Sequence, residues 1–312
     1  MSVPRIKVVS RSFSAHPILR SELLTLFPAA ILNEAGATYE DSALADFLKD
    51  SDGAIVSLEP VTEELLAQLP DLRIIAKYGV GIDNLDVAAM RRHNVALGWT
   101  GGLNKRGVAE MALGFMIGLC RNLFFAERGL RTHNDWTKRG GVQLSGRTVG
   151  IIGVGFVGKD LIELLKPFGC RILVNDVVDQ ADYYRANGLT LATKEQIYEE
   201  SDLVTVHTPL DETTRGMIDI EVFRRMKSTA YFLNVARGPI VVERDLKRAL
   251  KEGLIAGAAI DVFESEPCGD AELLALPNLY CTPHTGGSAD ESILAMGRGA
   301  IEHLAHFFKA PR

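Results

Sequence analysis

The chain alternates short, nearly continuous apolar runs with longer segments of helical spacing, and few folds accept that order. The runs fall at 6–9, 53–57, 72–77, 148–152, 171–175, 203–207, 230–234 and 256–261. A strand wetted on one face alternates apolar and polar residues, whereas a run that is apolar throughout needs cover on both faces. Segments at 17–26, 156–168 and 244–251 have helical periodicity and can supply that cover. Strands that alternate with helices predict an α/β fold on parallel sheet.

The length of 312 residues predicts two domains, because single cores stop growing at roughly 250–300 residues. Two longer helical segments, at about 105–121 and from Gly286-Gly287 to about 308, bracket the later strands. The chain is expected to leave a first domain along one helix, build a second, and return along the other. The expected domains are 1–100 with 290–312, and 101–289, with a cleft between them for ligands.

Composition narrows the partners. The formal net charge is -6 and there is no Lys/Arg block, so neither nucleic acid nor an anionic membrane surface is expected as a partner. Cys120, Cys170, Cys268 and Cys281 form no C-x-x-C pair and no zinc spacing with histidine, so no metal is expected and a reducing compartment is. The N-terminal residues contain no signal-peptide run, and the apolar stretch 108–119 is interrupted by Glu110 and two glycines. The expected location is the cytoplasm.

The strongest local motif is Gly153-Val154-Gly155-Phe156-Val157-Gly158, which follows one apolar run and opens a helical segment. Glycine triplets of this form are common, but this context matches a dinucleotide fingerprint. Gly153 permits the tight turn, Gly155 lets backbone approach a pyrophosphate, and Gly158 lets the helix lie close to the strand. The helix N-terminus then faces the phosphates with free N–H groups and the positive end of its dipole. Asp176 ends the next strand run, about 20 residues on, where an acid accepts from the ribose hydroxyls. Its charge would repel a 2′-phosphate, and Val177 and Val178 bring no cation beside it, so NAD is expected over NADP.

Three further stretches can carry chemistry: Asn234-Val235-Ala236-Arg237-Gly238, Asp261-Val262-Phe263-Glu264-Ser265-Glu266-Pro267 and Thr282-Pro283-His284-Thr285-Gly286-Gly287. The first two lie just past strand runs, where open α/β sheets place ligand groups. With Tyr78-Gly79-Val80-Gly81-Ile82-Asp83-Asn84, Val108-Ala109-Glu110 and His207-Thr208-Pro209-Leu210, they make the whole chain resemble the D-isomer-specific 2-hydroxyacid dehydrogenase family. The resemblance implies a Rossmann-type parallel-sheet domain and a smaller flavodoxin-like α/β substrate domain. It implies hydride transfer between NAD(H) and a small 2-hydroxy or 2-oxo acid, and a homodimer.

The same resemblance assigns roles. Arg237 grips the substrate carboxylate, a task suited to its planar fork. His284 exchanges the proton at the carbonyl oxygen, as befits an imidazole. Glu266 holds that imidazole; Glu264 competes for the part, and Glu266 is preferred because it directly precedes proline. Gly153, Gly155, Phe156, Val157, Gly158, Asp176, His207, Thr208, Pro209, Thr213, Val235, Ala236, Asp261, His284 and Gly286 are implied at the cofactor, Asp261 at the nicotinamide amide. Val80, Gly81 and Asn104 are implied at the substrate together with Arg237 and His284. Asp83 and Asn84 read as loop-holding residues, and Met111, Phe115 and Met116 as core or subunit interface.

The acid itself stays open. Asn104-Lys105-Arg106-Gly107-Val108-Ala109-Glu110 is similar to a stretch of some phosphoglycerate dehydrogenases, so Lys105 or Arg106 could hold a phosphate, although a first helical turn facing solvent is the preferred reading. D-3-phosphoglycerate, glyoxylate, hydroxypyruvate and D-lactate are all admitted. Rival readings are a formate- or phosphonate-type dehydrogenase and a non-catalytic NAD-sensing corepressor, both of which share the fold.

Overall fold

The computed structural model describes residues 3–138 and 140–309; the outer limits of the expected domains, at 1 and 312, lie outside them. The chain divides into two compact units, Met1–Asn104 with Asp290–Arg312, and Lys105–Ala289.

The first unit holds β1 (Ile6–Val8), β2 (Ile31–Leu32), β3 (Gly53–Val56), β4 (Ile74–Lys77) and β5 (Ala96–Gly98). They form one parallel sheet in the order β2-β1-β3-β4-β5, the flavodoxin arrangement. Each face is covered, as apolar runs demand. Leu44, Leu48, Leu66 and Met90 cover one side. Phe13 and Leu19 cover the other together with Ile301 and Leu304. The last two belong to the helix Asp290–Phe308, so the end of the chain completes the core begun by its first strand.

The second unit holds β6 (Thr148–Ile152), β7 (Arg171–Asn175), β8 (Thr190–Leu191), β9 (Leu203–Val206), β10 (Tyr231–Asn234), β11 (Gly257–Ile260) and β12 (Leu279–Cys281). Their order is β12-β11-β10-β9-β6-β7-β8, again all parallel. This is the doubly wound Rossmann order, and it reverses between β6 and β9, where such sheets bind ligands beyond the strand ends. The helix Lys105–Cys120 packs against the helix Phe156–Leu165 with Phe115 and Met116 buried, so these two are core residues.

The sequence shows no strand signature for β2, β5, β8 or β12. β2 and β8 have two residues each, too few for any period to register. The helical segment expected over 156–168 ends at Leu165, and Lys166–Phe168 tightens into a 3₁₀ turn because Pro167 cannot continue the α-helical ladder. No single helix among the described residues is long and apolar enough to cross a membrane. Helices Lys105–Cys120 and Leu123–His133 reach that length only together, and they are bent by 64° at their junction.

Candidate active site

The glycine loop begins where β6 ends. Gly153 has φ 95°, and a Cβ there would stand 2.7 Å from the His207 carbonyl group. A Cβ on Gly158 would meet the Gly153 carbonyl oxygen at 2.2 Å. Both positions exclude any side chain, so the helix Phe156–Leu165 starts tight against β6 and the chain leaving β9. A Cβ on Gly155 would meet nothing within 4 Å, and no side chain caps the helix there. The first N–H groups of the helix are therefore available to an anion.

Asp176 folds back onto this loop. Its Oδ2 accepts from the Val154 N–H at 2.6 Å and its Oδ1 from the Val178 N–H at 2.8 Å. Gln180 Nε2 donates to the Val154 carbonyl at 3.2 Å, so the peptide groups of Val154 are held from both sides. Val177 is 95% exposed beside them.

Across the reversal point, His207 follows β9. Its Nε2 lies 3.0 Å from Thr205 Oγ1, and burial pushes its pKa down to about 4, so the ring is neutral. His207 Nδ1 and Thr208 Oγ1 are enclosed without a hydrogen-bond partner. Buried polar atoms are nearly always paired in proteins, so two such atoms beside a glycine loop and a bare helix start fit a site completed by a polar ligand. The residues present fit a dinucleotide. Further along, Asp211 Oδ1 accepts from the Thr213 hydroxyl and N–H, which fixes the turn after Pro209 and holds the Asp211 carboxyl below its ordinary range. Thr205 has no place in the sequence motifs; its only signal is a hydroxyl in the middle of an apolar run.

At the end of β10, Asn234 is buried and turns the chain: its Oδ1 accepts from the Ala236 N–H and its Nδ2 donates to the Arg237 carbonyl. Val235 is buried, and the Ala236 carbonyl accepts from Arg237 Nη1 at 2.7 Å. Gly238 has no room for a Cβ, which would fall 1.8 Å from the Phe263 carbonyl oxygen. The turn bearing Arg237 is thereby pressed against the turn bearing Glu266. Asn234 shapes this contact, and only its place in the motif hints at it.

Glu266 and His284 meet directly. His284 Nδ1 lies 2.7 Å from Glu266 Oε2, while Glu266 Oε1 accepts from the Phe263 N–H at 3.0 Å. Of the two carboxylates weighed from sequence, Glu266 makes this contact; the backbone N–H of Glu264 instead donates to Glu243. His284 has φ 52°, a left-handed backbone that costs a non-glycine residue energy and persists only where neighbours enforce it. The enforcement comes from Asp261, which is 1% exposed. Its carbonyl accepts from the His284 N–H at 2.8 Å, and its carboxylate accepts from the Thr282 hydroxyl and the Thr285 and Gly286 N–H groups. Asp261 thus builds the turn that presents the imidazole.

Arg106, a candidate phosphate ligand by sequence, lies with its Nε 2.9 Å from Asp160 Oδ2. Asp160 is buried on the glycine-loop helix, where a carboxylate needs a cation. In the first unit, Val80 and Gly81 are partly exposed on the loop after β4, and the Val80 carbonyl accepts from the Trp99 indole at 2.9 Å. Asn104, half-buried, ends that segment. Among the described residues no cluster of three or more His, Cys, Asp or Glu could hold a metal ion.

Comparison with known proteins shows the family. Residues 113–286 match the family model of the D-isomer specific 2-hydroxyacid dehydrogenase NAD binding domain. A glyoxylate reductase of Korarchaeum cryptofilum is 37% identical over 269 residues, covering 83% of this chain and 80% of that protein. A D-3-phosphoglycerate dehydrogenase of Methanocaldococcus jannaschii is 34% identical over 273 residues, covering 86% of this chain but 52% of that longer protein. The holo D-mandelate dehydrogenase of Rhodotorula graminis shares the fold, with a TM-score of 0.87 at 24% identity over 98% of this chain and 95% of that one. The chain belongs to the D-isomer-specific 2-hydroxyacid dehydrogenases, NAD-dependent oxidoreductases that act on the CH–OH group of small 2-hydroxy acids.

Proposed function

We propose that Arg237, Glu266 and His284 interconvert a small, unphosphorylated 2-oxo acid of the glyoxylate class and its 2-hydroxy acid. The contact between His284 Nδ1 and Glu266, 2.7 Å long, carries this reading. An ionised carboxylate can only accept, so Nδ1 is the protonated nitrogen of the neutral ring and Nε2 is left to exchange a proton with substrate. Arg237 grips the substrate carboxylate through its guanidinium. As the imidazolium, His284 delivers its Nε2 proton to the carbonyl oxygen during reduction, and as the neutral ring it removes that proton from the hydroxyl during oxidation. Bound NAD(H) supplies or accepts the hydride. Gly153, Gly155, Phe156, Val157 and Gly158 would hold its pyrophosphate, Asp176 its ribose, and His207, Thr208, Pro209, Thr213, Val235, Ala236, Asp261 and Gly286 the remainder. The anionic Asp176 favours NAD over NADP, and comparable kcat/KM for the two would defeat that preference.

The absence of phosphate from the substrate is supported by the engagement of Arg106 with Asp160. The helix Leu123–His133 buries none of its residues in this chain, and Leu123, Leu130 and Trp136 are exposed in and beside it. This supports a homodimer, which sedimentation equilibrium would refute by finding monomer alone. The four cysteines are free, which supports a cytoplasmic location testable by cell fractionation.

The functional test is NADH oxidation at 340 nm with glyoxylate, hydroxypyruvate, pyruvate and 3-phosphohydroxypyruvate. Turnover is expected with glyoxylate and weakest with the phosphorylated acid. His284→Ala is expected to lower kcat by roughly 10²–10⁴-fold. Wild-type kcat in that variant, or no turnover with any of the four acids, would remove the reading.

A further inference from the structure

Lys77 is 6% exposed, and the mechanism above does not use it. Lysine is almost never buried this deeply without a structural or chemical reason. It ends β4, one residue before the loop that carries Val80 and Gly81. Its Nζ donates to the Ser57 carbonyl and, at 2.7 Å, to Asn84 Oδ1. Asn84 Nδ2 in turn donates to the Ser57 carbonyl at 3.1 Å and the Glu59 carbonyl at 2.6 Å. The ammonium therefore ties the end of β4, the segment after β3, and the far end of the 78–84 loop into one knot. The loop is shaped around its stem. Gly79 has φ 146°, and a Cβ there would sit 3.3 Å from Lys77 Cε.

We propose that Lys77 is a positioning residue for substrate binding: its ammonium fixes the 78–84 loop so that the Val80 and Gly81 N–H groups are preset for a carboxylate. This rests on the reading that those N–H groups meet the substrate. The Trp99 indole on the Val80 carbonyl secures the opposite side of the same loop. Neither Lys77 nor Asn84 reaches substrate itself; both act through the backbone. A neutral side chain of equal length would leave the Ser57 and Asn84 oxygens with one donor fewer, in an enclosure where each missing bond is costly.

The test uses the full-length protein with Lys77→Met and Lys77→Arg. With glyoxylate and NADH, Lys77→Met is expected to raise the KM for glyoxylate about tenfold or more, as expected for losing bonds to a charged donor. kcat and the Kd for NADH stay unchanged, and Lys77→Arg recovers most of the effect. An unchanged KM, or a parallel loss of kcat, NADH affinity and thermal stability, would overturn the proposal. A second readout is independent of turnover. The Val61 N–H donates to the Asn84 carbonyl and the Leu85 N–H to the Ile82 carbonyl. Hydrogen exchange at these two amides is expected to be about tenfold faster in Lys77→Met than in the wild type. If glyoxylate proves not to be turned over, the functional reading falls while exchange still decides on Lys77, and equal exchange in the two proteins overturns it.

Discussion

His207 is held in a state that its unfolded chain does not share. Burial lowers its pKa from 6.5 to about 4, so the folded protein keeps a neutral imidazole where the unfolded chain takes up a proton. The stabilisation is fully present above pH 6.5 and is lost as pH falls from there through 4. At about 1.4 kcal/mol per pKa unit the loss approaches 3 kcal/mol. Urea unfolding of the wild type and of His207→Gln between pH 7 and pH 4 should therefore give converging curves, the wild type losing more. Parallel curves would show that the ring is not desolvated. This residue also shows what sequence can and cannot say about a site. The H-T-P motif marks position 207 for the cofactor, yet the depressed pKa depends on enclosure by segments distant in sequence, such as the turn at Gly153. The same divide separates Arg237, Glu266 and His284, which sit in recognisable spacings, from Lys77 and Gln180, which donate to carbonyls 20 and 26 residues away. The partners of Lys77 lie as far off as Ser57, and nothing local to Lys77 announces them. Arg106 was legible as a cation near the second unit's first helix turn, but not its neutralisation by Asp160.

Elements were legible in proportion to their burial and length. The strands read from sequence are central or long, and their side chains are enclosed on both faces, so the runs are unbroken. β2, β8 and β12 lie at sheet edges and are short, and β5 pairs on one side alone; such strands need few apolar residues. The helix Leu123–His133 has no fully buried residue, with Leu123 and Leu130 exposed and Phe124 laid on Tyr280, so its apolar residues did not read as a core-facing stripe. The junction of β6 with the helix Phe156–Leu165 was legible because its glycines are obligatory. Gly158→Ala would place a Cβ 2.2 Å from the Gly153 carbonyl oxygen. Gly153 cannot yield, since it is itself pressed on the His207 peptide. The helix start must then lift from β6, which tilts the N–H groups offered to the pyrophosphate. Overpacking of this kind costs about 1–3 kcal/mol. The Kd for NADH, measured by fluorescence titration, should rise roughly two- to tenfold if about half of that cost falls on the loop. Wild-type affinity in Gly158→Ala would mean that the helix N-terminus is not where the dinucleotide phosphates bind.

At the scale of the molecule, the same substitution is expected to act with opposite sign at one glycine in each of the two long helices, because Gly297 lies where its helix closes a unit and Gly114 lies on the solvent side of its own. Glycine inside a helix costs roughly 0.5–1 kcal/mol relative to alanine, so Gly→Ala has a favourable backbone contribution wherever a methyl group fits. At Gly114, in the helix Lys105–Cys120, a Cβ meets nothing within 4 Å and the residue is exposed. At Gly297, in the helix Asp290–Phe308, it would meet Leu19 Cδ1 at 2.3 Å. Leu19 is fully buried and cannot swing aside, so overpacking of about 1–3 kcal/mol exceeds the backbone gain. Gly114→Ala should raise stability by several tenths of a kcal/mol, and Gly297→Ala should lower it by about 1 kcal/mol. The two tryptophans report the units separately: Trp99 lies in the first and Trp136 in the second. Urea denaturation followed in Trp136→Phe and Trp99→Phe backgrounds would assign each change. A Gly297→Ala protein whose Trp99 midpoint is unmoved would show that the returning helix does not complete the first unit's core. The chain would then not need its last twenty or so residues to hold its first strand in place.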